Sequence, residues 1–173
     1  PASSGNRKTW TWSGWIKGGS MDEWMMPFSA GVDNDNQHAI YFANSQDHKV
    51  NFRTEIGGNS FLYDYRSLAV FRDRSAWYHL VVQFDTTQAT DSNRVKIWMN
   101  GVYVDPDSSI TNWPPQNLDG LINSSSHNHY IGKLRDDSSV THDGYLAEVN
   151  FIDGTAYDAS SFGELKNGVW IPK

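Results

Sequence analysis

The clearest hydrophobic pattern in the sequence is an alternation over Asp143–Gly154, near the C-terminal end. Tyr145, Ala147, Val149 and Phe151 share one parity, and polar residues interrupt the other. A period of two is typical of a strand that turns one face to a core and the other to water. Asp-Gly pairs at both ends supply turn chemistry. We therefore predict that this segment is a central strand of an all-β domain.

Similar alternation recurs along the rest of the chain. Trp77–Asp85 has an unbroken apolar parity, and Arg94–Val104 reads as a hairpin because Asn100-Gly101 is a strong two-residue turn signal. The connection Gly57–Asn59 predicts a second hairpin. Shorter strands are predicted over the remaining alternating segments, which are Lys8–Lys17, Met25–Ala30, His38–Ala43, Lys49–Glu55, Ser60–Tyr65 and His129–Gly132.

Other segments lack the alternation of a strand. Asp105–Ser126 is predicted to be a long loop, and Arg135–His142 a polar turn. Asp158–Leu165 is predicted to form one helical turn, with Ser160 or Ser161 as its cap. Many short strands with regularly spaced turns predict a two-sheet antiparallel β-sandwich. Residues 1–7 would be a linker, and residues 8–173 a single domain.

Composition narrows the class of protein without identifying a ligand. The chain has 173 residues, 14% of them aromatic with eight Trp, which suits one domain of short strands. It has no Cys, so disulfides and thiolate metal sites are excluded. A net charge of -6 without any block of Lys or Arg argues against a nucleic-acid partner. No apolar run has the length of a membrane span, about 18 residues, so no membrane partner is predicted. Because the first residue is Pro1, we expect a processed product or an excerpt of a longer chain.

Signatures of catalysis are missing from the sequence. There is no G-x-S-x-G, no H-E-x-x-H and no glycine-rich phosphate loop. A glycosidase needs two carboxylates about 5–10 Å apart, and Glu148 stands alone on its predicted strand. We therefore predict that the protein is not an enzyme and that Glu148 has a structural role.

Three aromatic residues in or beside predicted loops are candidates for glycan binding: Trp24, Tyr65 and Trp113. Exposed aromatic rings can stack on the apolar faces of sugars, while amides and carboxylates bond the hydroxyls. The alternative is that Trp24 and Trp113 cover the ends of the sheets, because tryptophan is highly buried on average.

Two acidic clusters are candidates for binding a cation. The segment Asp33–Gln37 concentrates carboxylate and amide oxygens, which are calcium ligands, and Asp33 and Asp35 are its leading candidates. Asp136-Asp137 is a second cluster. The alternative is conformational, because Asn and Asp also favour turns without any metal.

Several separated segments together resemble a known family. The chain resembles the concanavalin A-like, laminin G-like jelly-roll superfamily in the sequence and order of five segments, which are Lys8–Lys17, Phe28–Gly31, Trp77–Val82, Val95–Gly101 and Asp143–Gly154. The segments Phe151–Gly163 and Asn167–Lys173 are more similar to laminin G-like domains of tailed-phage virion proteins, especially marine ones. The E-x-D-x-x-E triplet of laminarinase-like enzymes in this superfamily does not occur in the sequence.

The resemblance implies a jelly roll and three hypotheses about function. The first is a non-enzymatic phage virion module with a lectin-like surface that binds a host-surface glycan, with calcium as the natural ion. The second is a structural decoration or fibre domain that binds neighbouring virion subunits, in a homo-oligomer. The third is a glycan-degrading enzyme. The virion surface, outside the cell, is the expected location. Such domains usually pair an extra first strand with a C-terminal strand, and the sequence shows neither.

Overall fold

The structure is a computed structural model that describes most of the chain. It covers residues 1–19, 24–43, 48–57, 61–109, 111–135 and 137–173, without the side chains of 61 and 137–139. The predicted turn residues Gly58 and Asn59 and the acidic residue Asp136 lie outside the described residues. The statements below refer to the described part.

Two five-stranded antiparallel sheets pack face to face. The first sheet has the order β12-β1-β6-β7-β8, formed by Gly144–Asp153, Thr9–Gly18, Tyr78–Asp85, Val95–Met99 and Val102–Tyr103. The second has the order β5-β4-β3-β2-β9, formed by Phe61–Arg66, Val50–Ile56, Asn36–Phe42, Met25–Asp33 and Asn128–Ile131. This architecture confirms the predicted two-sheet antiparallel β-sandwich.

Two further hairpins lie outside the main sheets. They are β10 with β11, formed by Lys133–Leu134 and Asp137–Thr141, and β13 with β14, formed by Gly163–Lys166 and Val169–Pro172. Short 3-10 turns occupy Asp91–Asn93 and Ala159–Ser161. No helix in the described part of the chain is long and apolar enough to cross a membrane.

Alternating residues of both sheets form one aromatic core. Trp10 is fully buried and stacks on Phe84, with ring centroids 5.0 Å apart. Trp12 is also fully buried and stacks on Phe28 of the facing sheet at 6.1 Å. Burial of such large apolar surfaces stabilises the sandwich, at about 25 cal/mol per Å².

The prediction that Asp143–Gly154 is a central strand is wrong. Among the described residues, strand β12 pairs only with β1 and forms the edge of its sheet. A β-bulge interrupts it, because Ser13 faces Asn150 whereas Trp15 faces Ala147, and Glu148 takes a positive φ of 51° there. The bulge shifts the parity, so the core packs against Leu146, Val149 and Phe151 rather than Tyr145.

Two other segments also differ from their predictions. The predicted polar turn Arg135–His142 contains most of the β10–β11 hairpin. The predicted turn near Asp158 exists, but its cap is Asp158 rather than a serine, because Asp158 Oδ1 accepts from the backbone N–H of Ser160 at 2.9 Å. The C-terminal hairpin β13–β14 was not predicted as strands.

Candidate functional site

A groove lies on the outer face of the second sheet, away from the core. Its cavity measures about 330 Å³. Successive residues of β3 alternate between the two faces, so Ile40 and Phe42 enter the core while Ala39 and Tyr41 face the groove. The lining comprises Trp24, Met26, Gln37, Ala39, Tyr41, Arg53, Glu55, Leu134 and Val140.

One wall of the groove is aromatic. Trp24 is 37% exposed, and its ring lies 5.2 Å from that of Tyr41, tilted by 45°. The Arg53 guanidinium sits above the Tyr41 ring, 5.9 Å from its centroid. Burial raises the pKa of Tyr41 to about 12, so its hydroxyl stays protonated at neutral pH. The wall therefore offers an exposed indole supported by a fixed second ring.

Polar groups line the side of the groove formed by β3 and β4. Gln37 Nε2 donates to Glu55 Oε2 at 2.6 Å, and Arg135 Nε donates to Gln37 Oε1 at 2.9 Å. Arg135 also donates through Nη2 to Asn34 Oδ1. Burial raises the pKa of Asp64, opposite Arg53 on the next strand, and the charge of Arg53 partly offsets that rise. Gln37 thus holds the Glu55 carboxylate, and the Arg53 guanidinium interacts electrostatically with Asp64.

The β10–β11 hairpin closes the far side of the groove. Ser29 Oγ donates to the carbonyl of Lys133 at 2.8 Å and accepts from the backbone N–H of Arg135 at 2.9 Å. These two bonds fix the hairpin to β2 and bring Leu134 and Val140 against the apolar floor. The groove therefore depends on a segment that the sequence predicted to be only a turn.

The structure separates the three aromatic residues predicted to bind glycan. Trp24 lies in the groove, as just described. Tyr65 is 1% exposed in the core and donates its hydroxyl to the carbonyl of Val104, so it has no face to offer a sugar. Trp113 is half-buried and packs edge-on against Tyr65, with ring centroids 5.8 Å apart. This agrees with the alternative that Trp113 covers an end of the sheets. They do not form one site.

The candidate calcium ligands lie in the turn between β2 and β3. Asp33 Oδ1 accepts from the backbone N–H of Asp35 and from Asn36 Nδ2, each at 3.0 Å. These bonds are those of an Asx turn, so they agree with the alternative that the Asp and Asn residues form a turn without a metal. Within the described ranges, no three His, Asp or Glu side chains come together as a cation site. Calcium binding at Asp33 and Asp35 stays a prediction.

A serine and a histidine meet on the outer face of the first sheet. Trp170 Nε1 donates to His79 Nδ1 at 2.9 Å, and His79 Nε2 lies 2.9 Å from Ser13 Oγ. An indole N–H only donates, so Nδ1 is the acceptor and Nε2 of the neutral ring carries the proton. Burial lowers the pKa of His79 to about 4, which keeps it neutral. In this tautomer His79 donates to Ser13 and does not accept its proton, so the pair is not arranged as a catalytic dyad.

The groove residues Tyr41, Arg53 and Glu55 were not predicted as site residues. A usable signal was present, because each lies at the parity of its strand opposite to the core residues. Polar and aromatic residues on the outer parity of adjacent strands would have indicated a functional face.

Comparison with known families identifies the class of domain. A model of the concanavalin A-like lectin/glucanases superfamily matches residues 1–159. The chain belongs to this superfamily, because the match covers most of its length. No curated protein matches the sequence significantly.

Solved structures share the fold at low sequence identity. The carbohydrate-binding module CBM40 of a Ruminococcus gnavus sialidase, bound to α2,3-sialyllactose, is 14% identical, with TM-score 0.62 over 92% of this chain and 81% of that one. Domain 4 of the arabinanase AbnA from Geobacillus stearothermophilus, in complex with arabinotriose, is 17% identical, with TM-score 0.63 over 90% and 64%. A heptameric pentraxin from Limulus polyphemus is 15% identical, with TM-score 0.55 over 86% and 66%. The chain thus spans about two thirds of the pentraxin and of the arabinanase domain.

Proposed function

We propose that this protein is a non-catalytic, lectin-like glycan-binding module whose site is the groove on the second sheet. The observation that carries the proposal is Trp24, an exposed indole at the edge of a cavity that also presents Glu55 and Arg53. An aromatic ring offers a surface for the C–H face of a sugar, and charged groups form the strongest hydrogen bonds to hydroxyls. The similarity to modules solved with bound oligosaccharides supports this choice.

The groove also supports binding rather than hydrolysis. Glycosidases act through two carboxylates about 5–10 Å apart, and Glu55 is the one carboxylate among the described residues that line the groove. Glu148 faces a different cavity, of about 180 Å³, on the first sheet. We therefore propose no catalytic role for the chain.

We further propose the surface of a tailed-phage virion as the setting and a host-surface glycan as the ligand. The similarity of the C-terminal sequence, Phe151–Gly163 and Asn167–Lys173, to laminin G-like domains of phage virion proteins supports this setting. The groove supplies a surface for the ligand.

The test is a glycan array that includes bacterial surface polysaccharides, probed with the intact chain with and without EDTA. We expect retention of specific glycans and no release of reducing sugar from them. Loss of binding in EDTA would support the predicted calcium ion at Asp33 and Asp35 in the β2–β3 turn. Sugar release from a bound polysaccharide would contradict the proposal and favour the enzyme hypothesis.

A structural role in binding neighbouring subunits is the second candidate, and one surface favours it. An apolar cleft of about 500 Å³ lies beside the edge strand β8, where Leu68 is 61% and Val102 69% exposed. Exposed apolar patches commonly mark protein–protein contacts. If no glycan on the array binds and light scattering shows a defined oligomer, this function would be favoured over glycan binding.

A further inference from the structure

The floor of the groove is aliphatic. Met26 and Ala39 from the sheet are only 2% and 6% exposed, and Leu134 and Val140 pack against them from the β10–β11 hairpin. None of these four side chains carries a strong hydrogen-bonding group. The floor therefore differs from the side of the groove that presents Glu55 and Arg53.

This division constrains how a sugar can sit in the groove. A hydroxyl pressed against the floor would lose its hydrogen bonds to water and gain none, which is unfavourable. A ligand that fills the groove must therefore direct an apolar group at the floor and its hydroxyls at the polar side. A plain hexose has hydroxyl groups around its whole rim, so it does not match this lining.

The geometry points to a sugar residue with a methyl substituent, in an N-acetyl or a 6-deoxy group, as the ligand of the groove. The sugar ring packs on Trp24, the methyl group contacts Ala39 and Val140, and ring hydroxyls bond Glu55 and Arg53. This inference rests on the proposed glycan-binding function and specifies its substrate class.

The dimensions of the groove agree with one such residue. Its volume of about 330 Å³ is at the lower end of ligand sites, which span roughly 300–1,000 Å³. Ala39 is the smallest floor residue, and it lies on the same face of β3 as the longer side chains of Gln37 and Tyr41. A methyl group is small enough to contact Ala39 between these two side chains.

The test compares matched sugars that differ in the methyl-bearing group. N-acetylglucosamine is paired with glucose, L-rhamnose with L-mannose, and L-fucose with L-galactose, and each is titrated into the intact chain. We expect the methyl-bearing member of at least one pair to bind about tenfold more tightly, which is within the range by which an apolar pocket discriminates a methyl-bearing from a hydroxyl-bearing group. The pair that responds distinguishes an N-acetyl from a 6-deoxy source. Saturation-transfer NMR should show the strongest transfer to the protons of that methyl group.

Two variants locate the effect in the floor. Val140→Thr keeps the shape of the side chain but adds a hydroxyl, so we expect the preference for the methyl-bearing sugar to fall to about twofold. Val169→Thr, at a 61% exposed position of the C-terminal hairpin, is the matched control and should keep the full preference. Affinity for the plain hexose should be unchanged in Val169→Thr.

Each other outcome overturns the inference in a recognisable way. Equal affinities within all three pairs, with binding that is still lost in Trp24→Ala, would contradict the methyl preference and leave the glycan-binding proposal intact. A preference that survives Val140→Thr would place the methyl group elsewhere. Failure of every sugar and of the glycan array would overturn both proposals together.

Discussion

At the scale of single residues, His79 shows how neighbours decide what a side chain can do. It stacks on Trp15 at 4.9 Å and is bonded on both ring nitrogens, to Trp170 and Ser13. A serine beside a histidine suggests catalysis, but in this tautomer His79 cannot accept the proton of Ser13. Through Trp170, His79 links the first sheet to the C-terminal hairpin.

We expect acid to destabilise the fold through His79. Burial lowers its pKa from 6.5 to about 4, so between these values the unfolded chain binds the proton and the native state does not. The free energy of unfolding should therefore decrease as the pH is lowered from about 6.5 to about 4, by up to about 1.4 kcal/mol per pH unit from this one group. Burial lowers the pKa of His38, His129 and His142 in the same direction.

The measurement is urea unfolding at several pH values between 4 and 7 for the parent chain and His79→Gln. Glutamine retains one donor and one acceptor but does not titrate. The variant should show a shallower dependence on pH. Identical slopes in the two proteins would mean that His79 does not titrate as its burial implies.

At the scale of secondary-structure elements, local patterns predicted strands better than they predicted pairing. The strands around Asn100-Gly101 were predicted because the turn is visible in the sequence, and Asn167-Gly168 carries the same signal for β13–β14 with φ values of 52° and 80°. The β10–β11 hairpin could not be predicted, because its residues are mostly polar and its position depends on bonds to Ser29. The bulge in β12 could not be predicted from the alternation, because the segment has apolar residues at both parities. The bulge changes only which of them face the core.

We expect Glu148→Gly to stabilise the protein. Glu148 holds a φ of 51° in the bulge, a conformation that costs residues with a Cβ about 1–2 kcal/mol and glycine little. The gain should be up to about 1 kcal/mol in urea unfolding, because glycine also adds freedom to the unfolded chain. Glu164→Gly in β13, where φ is not positive, is the matched control and should destabilise. A loss of stability in both variants would contradict the strain argument.

At the scale of the whole molecule, the two outer faces of the sandwich differ. The C-terminal hairpin contacts the first sheet at His79 through Trp170, whereas the second sheet keeps an open groove beside the β10–β11 hairpin. The sandwich itself followed from alternation in the sequence. The groove did not, because it joins Trp24, three strands and a hairpin that span residues 24 to 140, and only Trp24 was predicted as a site residue. Tyr65 failed as a candidate because its parity with the buried Tyr63 places it in the core.

The groove is tested most directly by the affinity of one array-identified glycan for three proteins: the parent chain, Trp24→Ala and Trp77→Ala. Trp77 is the matched control, because it is 41% exposed, close to the 37% of Trp24, and precedes β6 of the other sheet. We predict that Trp24→Ala weakens binding at least tenfold, about 1.4 kcal/mol, and that Trp77→Ala leaves it unchanged. Unchanged binding in Trp24→Ala, with a loss in Trp77→Ala, would contradict the groove as the glycan site.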